Sequence, residues 1–256
     1  MFQRETAQEV LHQLPGHLEE PRLLLVGIGG AGINMLRAVD PGDGLRKVAF
    51  DTDDYALALS QVPRQVHLRT SLPHGTGGDP DIGRAAARRH LEEIRTILEG
   101  DIVLLAAGLG GGTGTGVAPV VARLAQESGL PVLAVLAWPF DDEDLADEAQ
   151  RGFEATRAHC DGVLVLDNEA AFALADIETP RDAAEAINAM IGRVLRELSD
   201  CAREALPFSV REELADFLER LPAGKGELLV RDAGWDSPRD GGDPLPVDQR
   251  GMVQFR

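Results

Sequence analysis

The 256-residue sequence predicts an α/β domain built on a mostly parallel sheet with glycine turns gathered along one edge. Three observations predict it. Apolar runs of strand length alternate with helix-compatible stretches. Glycine loops at 27–32, 75–78 and 108–116 punctuate that alternation. Each loop leads directly into sequence that can form a helix. Strand, glycine loop, helix is how a backbone builds an anion site. Bare N–H groups converge on the ligand, no Cβ blocks its approach, and the helix N-terminus adds positive potential. A plain turn does not require glycine at this density, because each one adds an entropic cost on folding.

Taken in order, residues 1–20 read as an appended helical segment, with Thr6 and Glu9 spaced as a capping box and Val10, Leu11 and Leu14 as a short apolar stripe. Leu23 to Val26 is a central-strand run. It enters the first loop, Gly27 to Asn34, and then a helix carrying Met35, Leu36 and Val39. Val48 to Phe50 is the next strand and ends in Asp51-Thr52-Asp53. Alone, this half fits a dinucleotide fingerprint, GxGxxG followed about 20 residues on by an acid. A second loop, Leu72 to Arg84, leads into a helix from Ala85 to Leu98. The strand Ile102 to Ala107 opens into the third loop, and a helix over Val117 to Glu127 places Pro119 in its first turn. Leu130 to Ala137 is a strand ending at Trp138-Pro139-Phe140, before an acidic run over 141–148 that reads as a solvated helix start. Val163 to Leu166 is a further strand, leading into Asp167-Asn168-Glu169. From Thr179 and Pro180, a 3.6-residue stripe through Ile187, Met190, Ile191, Val194, Leu195 and Leu198 marks a long helix over 180–206, about 40 Å at 1.5 Å per residue. Ser209 and Glu212 cap a short helix through Leu221, and residues 222–256 form a tail rich in Gly, Pro and Asp.

Composition narrows the chemistry. A net charge of −18 and a pI near 4.7, with no basic patch, disfavour nucleic acid and anionic membranes as partners. The two lysines, Lys47 and Lys225, stand outside any Gly-Lys-Ser/Thr setting, so a Walker-type P-loop is excluded. Cys160 and Cys201 fall in helix-like stretches and read as reduced core thiols, with no zinc site or other metal cluster. The sequence carries no signal peptide and no apolar run of spanning length, which points to the cytoplasm and to no direct membrane insertion. Three loops exceed what a nicotinamide dinucleotide needs, so a cradle for several phosphates is the better account. Charge neutralisation then falls to backbone N–H groups, helix dipoles and a Mg²⁺ bound through the nucleotide.

The three loops in this order, with Gly110-Gly-Gly-Thr-Gly-Thr-Gly116 as the third, resemble the FtsZ/tubulin family of filament-forming GTPases, the bacterial cell-division branch most closely. The resemblance covers residues 23 to about 206. It implies a Rossmann-like three-layer sandwich, helices on both faces and a long core helix, within a nucleotide-binding domain at 21–221. It implies GTP or GDP as ligand with Mg²⁺. Carried over by residue, Gly29, Gly30, Ala31, Gly32 and Asn34 resemble the first phosphate loop. Gly75, Thr76, Gly77 and Gly78 resemble the loop that senses the terminal phosphate. Gly110, Gly111, Gly112, Thr113, Gly114, Thr115 and Gly116 form the signature loop. Pro139 and Glu143 match the segment reaching the ribose, and Asn168 and Asn188 fall where asparagines approach the guanine.

Four departures shape the functional expectation. Asp147 stands where the family has an arginine, and Ala189 where it has the acid that reads guanine N–H groups. In the loop that orients water against a neighbour's γ-phosphate, Arg211 and Leu214 occupy the acid positions, leaving Glu212, Glu213 and Asp216 as substitutes after a register shift. The family's second domain, about 100 residues, is expected to be absent. These changes predict a divergent FtsZ-like nucleotide-binding protein that modulates or partners FtsZ-type filaments, with hydrolysis weak, absent or partner-dependent. The alternatives are a self-assembling GTPase using Glu212 or Glu213 and, last, an NAD-dependent oxidoreductase resting on Gly27 to Gly32 and Asp51.

Overall fold

A computed structural model describes residues 23–39, 45–100, 102–140 and 143–167. The expected N-terminal segment, the long helix 180–206, the helix after it and the tail lie outside the described residues. So do Asn168, Asn188, Ala189, Glu212, Glu213 and Asp216.

Among the described residues six strands form one parallel sheet: β1 (Leu23–Ile28), β2 (Arg46–Asp51), β3 (Arg64–His67), β4 (Ile102–Gly108), β5 (Val132–Trp138) and β6 (Gly162–Asp167). Their order is β3-β2-β1-β4-β5-β6, so the chain runs outward from β1 to one edge and then crosses back to lay down β4. That reversal sets β1 beside β4, with Ile28 opposite Ala107. In open parallel sheets the crevice for a ligand lies beyond the strand C-termini at such a reversal. The first and third glycine loops emerge there side by side.

Continuous apolar runs make the central strands. β1, β4 and β5 are buried nearly from end to end, as a sheet covered on both faces requires. The described helices that cover it are α1 (Gly29–Arg37), α2 (Asp54–Leu59), α3 (Pro80–Arg89), α4 (Leu91–Ile97), α5 (Gly112–Glu127) and α6 (Glu143–Arg157). The main core joins Leu24, Val26 and Phe50 of the sheet to Ala86, Ile94, Val121 and Phe153 of α3 to α6. A smaller cluster of Ile33, Ala49, Leu57 and Val62 sits under α1 and α2 on the other face. These layers are the expected sandwich.

Several boundaries differ from the sequence reading, each for a tertiary reason. β3 and α2 were not anticipated. β3 is a four-residue edge strand in which only Val66 is buried, so it carries no apolar signal. The helix expected over 85–98 begins at Pro80, capped by the Asp79 side chain, and breaks at His90 (φ −109°, ψ 20°) into α3 and α4. α5 starts at Gly112, not Val117, which puts Pro119 inside the helix instead of in its first turn. The glycines expected to be loop are helical because they let α5 press onto its neighbours. A Cβ on Gly114 would overlap the carbonyl oxygen of Gly108, and one on Gly116 that of Pro80.

Candidate functional site

α1 and α5 point their N-termini into the same space. Ile28, with an extended backbone, precedes α1, and Gly111 precedes α5; neither supplies a side-chain cap, and neither helix has an acid in its first turn. The contrast with α2 and α3 is direct. Asp53 accepts from the N–H groups of Tyr55 and Ala56, Asp79 accepts from Asp81, and Asp54 and Asp81 add negative charge to those first turns. A helix leaves its first N–H groups without intrahelical partners, and they need side chains, water or a ligand. At α1 and α5 the sequence withholds the side chains.

Between these ends lies a cavity of about 310 Å³, walled by Gly29, Gly30 and Ala31 of the first loop, Thr76 of the second, and Gly111, Gly112, Thr113 and Gly114 of the third. Gly108 and Leu109, at the end of β4, complete the floor with Ile28. Among the described residues, no charged side chain lines it. Positive potential here comes from two helix dipoles and from bare amides, as in other anion sites lacking lysine.

The glycines divide by task. A Cβ on Gly30 or Gly111 would meet nothing within 4 Å, so those two leave the cavity open. A Cβ on Gly32 would overlap the carbonyl oxygen of Ala106, which makes Gly32 the contact that lets α1 lie on β4. Gly110 takes a left-handed backbone (φ 88°) against Pro139 and Leu145, and Gly75, Gly77 and Gly78 are likewise left-handed (φ 59°, 62° and 89°) in the second loop. Of the residues expected at a site, Gly32, Asn34, Gly75, Gly77, Gly78, Gly110, Thr115, Gly116 and Pro139 do not line the cavity. Asn34 is exposed on α1. Thr115 is buried against Gly152 of α6, and its hydroxyl has no partner among the described residues. Glu143 begins α6, and Asp147 is exposed on it.

Sequence reasoning passed over Thr52. Its hydroxyl lies 2.6 Å from that of Thr113, and its carbonyl oxygen accepts from the Gly75 amide at 3.2 Å and from His67 Nε2 at 3.2 Å. The only sequence cue was position, directly after a strand on the loop-bearing edge. Asp51, the acid a dinucleotide reading needs for a ribose, is 3% exposed and turned inward. Its Oδ1 accepts from the amides of Thr52 (2.7 Å) and Asp53 (3.2 Å). Burial pushes the Asp51 carboxyl up from its ordinary value, against the two amide hydrogen bonds and His67, which pull it down.

The model of the Tubulin/FtsZ family, GTPase domain, matches residues 22–176, more than half of the chain. The chain belongs to the tubulin/FtsZ family. It is 37% identical over 172 residues to cell division protein FtsZ 2 of Haloferax volcanii, covering 65% of this chain and 43% of that protein. It is 33% identical over 217 residues to cell division protein FtsZ 2 of Methanocaldococcus jannaschii, covering 82% and 56% respectively. Among solved structures, an empty FtsZ dimer from M. jannaschii superposes with a TM-score of 0.68 at 30% identity, over 77% of this chain and 58% of that one. A GTPγS-bound protofilament of CetZ2 from H. volcanii gives a TM-score of 0.64 at 26% identity, over 73% and 61%. The chain spans about half the length of the curated relatives it matches. The tubulin/FtsZ GTPase-domain fold read from the three loops is therefore established. Among the described residues no helix is long and apolar enough to cross a membrane, and no group of three or more His, Cys, Asp or Glu is placed to hold a metal.

Proposed function

We propose that this chain is an FtsZ-like guanine-nucleotide-binding protein that modulates or partners FtsZ-type filaments, with GTP hydrolysis weak, absent or dependent on a partner. The observation that carries the nucleotide reading is the pair of uncapped, acid-free helix N-termini opening on one cavity. An anion with several oxygens gives those amides the partners the sequence withholds. The backbone amides of the first and third loops hold the phosphates, and the hydroxyls of Thr76 and Thr113 donate to their oxygens. Mg²⁺ is carried by the phosphates themselves. Pro139, Glu143, Asn168 and Asn188 are assigned to ribose and base. Ala189 cannot accept hydrogen bonds from the base, so guanine is held less selectively than an acid there would hold it.

Catalysis of phosphoryl transfer to water is mostly positioning and charge stabilisation. Arg211 and Leu214 stand where acids would orient the water, which favours a subunit that presents a nucleotide face and lacks a competent opposite face. Such a subunit caps or modulates filaments of a complete FtsZ. Co-sedimentation tests this: equimolar protein changes the amount or turnover of FtsZ polymer, and no change in either contradicts it. A self-assembling GTPase is the second reading, favoured by the likeness to a CetZ2 protofilament. It predicts phosphate release that rises cooperatively with protein concentration, with Glu212 or Glu213 required.

A further inference from the structure

The hydroxyl pair between Thr52 and Thr113 joins a strand end to the cavity wall, and a ligand would fix its polarity. Thr113 lines the cavity, whereas Thr52 lies behind it and is 2% exposed. Their oxygens are 2.6 Å apart, and either hydroxyl can be the donor. Each hydroxyl has one proton to give. A phosphate oxygen only accepts, so once Thr113 turns its proton to such an oxygen, its own oxygen must accept from Thr52. The order becomes Thr52 to Thr113 to phosphate. A hydroxyl that accepts a hydrogen bond donates more strongly, because the chain polarises.

Thr52 is also held on its backbone side. Its amide donates to Asp51 Oδ1 at 2.7 Å, and its carbonyl accepts from Gly75 of the second loop at 3.2 Å and from His67 Nε2, which must then carry the ring proton. One buried residue therefore touches the second loop through its carbonyl and the third through its hydroxyl. Nothing else in the described residues links those loops by a side-chain hydrogen bond to Thr113.

We propose that Thr52 is a positioning residue for nucleotide binding: its hydroxyl donates to Thr113, aiming the Thr113 proton at a phosphate oxygen, while its carbonyl fixes the second loop beside it. The inference rests on the nucleotide reading above and deepens it. The residue acts only through Thr113 and touches no ligand itself.

Calorimetric titration of GTP with Mg²⁺ into the full chain tests it. Thr52→Val keeps the shape and removes the proton; affinity falls about fivefold, within the scale of one hydrogen bond between neutral groups. Thr52→Ser restores binding to within about twofold, which a purely steric role would not produce. The Thr52→Val/Thr113→Val double variant binds no more weakly than Thr113→Val alone, because the two hydroxyls work in series. Thermal melts accompany each titration, and Thr52→Ala repeats the cycle should the valine variant be unfolded at the assay temperature. Unchanged affinity in Thr52→Val, or losses that multiply in the double variant, would overturn the inference while leaving the nucleotide reading in place. A wild-type chain that binds no GTP would overturn both.

Discussion

Gly111 and Gly114 are three residues apart in one turn, yet a methyl group fits at the first and collides with the Gly108 carbonyl at the second. Gly111→Ala is therefore predicted to keep stability within about 1 kcal/mol. It narrows the cavity and weakens GTP by about tenfold or more, since misplacing a binding group by an ångström is costly. Gly114→Ala forces backbone apart and costs more than about 3 kcal/mol. Denaturant unfolding with parallel nucleotide titration separates the two cases, and equal behaviour of the pair would contradict the division of tasks. Asp51 offers a second test. Its carboxyl is raised in the folded protein, chiefly by burial, with the nearby Asp53 charge adding and the amides of Asp53 and Thr52 and His67 opposing. A raised carboxyl binds its proton more tightly folded than unfolded, so its contribution is best at low pH. That contribution declines as pH climbs from the unfolded value, about 3.9, through the folded one. Asn at 51 can keep Oδ1 as acceptor for both amides without the charge. Asp51→Asn should gain stability relative to wild type as pH rises over that window. A gain independent of pH, or a loss at neutral pH, would count against this account. The sequence showed that glycine mattered in these turns but not which glycine serves which end, because the colliding atom always belongs to a different element.

Of the helices that begin without a side-chain cap, α1 and α5 also lack first-turn acids and wall the cavity, whereas α4 carries Glu92 and Glu93 in its first turn and, like the aspartate-capped α2 and α3, begins elsewhere. Strands β1, β4 and β5 were legible because burial on both faces writes an unbroken apolar run. β3 was not, since an edge strand with one buried side chain has the composition of a loop. Helix starts were misplaced for a related reason. Glycine and proline carry low helix propensity, and only packing against α3 and β4 makes residues 112–116 helical. α6 is held to the sheet partly by Phe153, 1% exposed, whose ring meets Trp138 edge-on at 6.3 Å. Phe153→Ala is predicted to cost about 3–5 kcal/mol, the usual range for a buried aromatic. Trp138 emission should shift red in the folded variant. A cost below about 1 kcal/mol would mean that α6 contributes little to the core.

The whole chain carries −18 and is asked to bind a polyanion. Its long-range field repels GTP, and among the described residues only the local amides and helix dipoles attract it. Added salt screens the field over about 8–10 Å and leaves short contacts nearly intact. The association rate for GTP should thus rise with ionic strength in stopped-flow measurements, opposite to a lysine-based phosphate site; a falling rate would point to a basic contact outside the described residues. Fold and family were legible at this level because three glycine loops follow successive strands in order and the third carries the Gly-Thr-rich turn at 110–116. The proposed filament role was less so, because it rests on Arg211, Leu214 and faces that only an assembly would bring together. The nucleotide reading under all of this is tested most directly by titrating the purified chain with GTP, GDP, ATP and NAD in Mg²⁺. The account predicts saturable binding of GTP and GDP, weaker binding of ATP, and weakening of each by about tenfold or more with Gly111→Ala. Binding of none of the four, or of NAD alone, would contradict it.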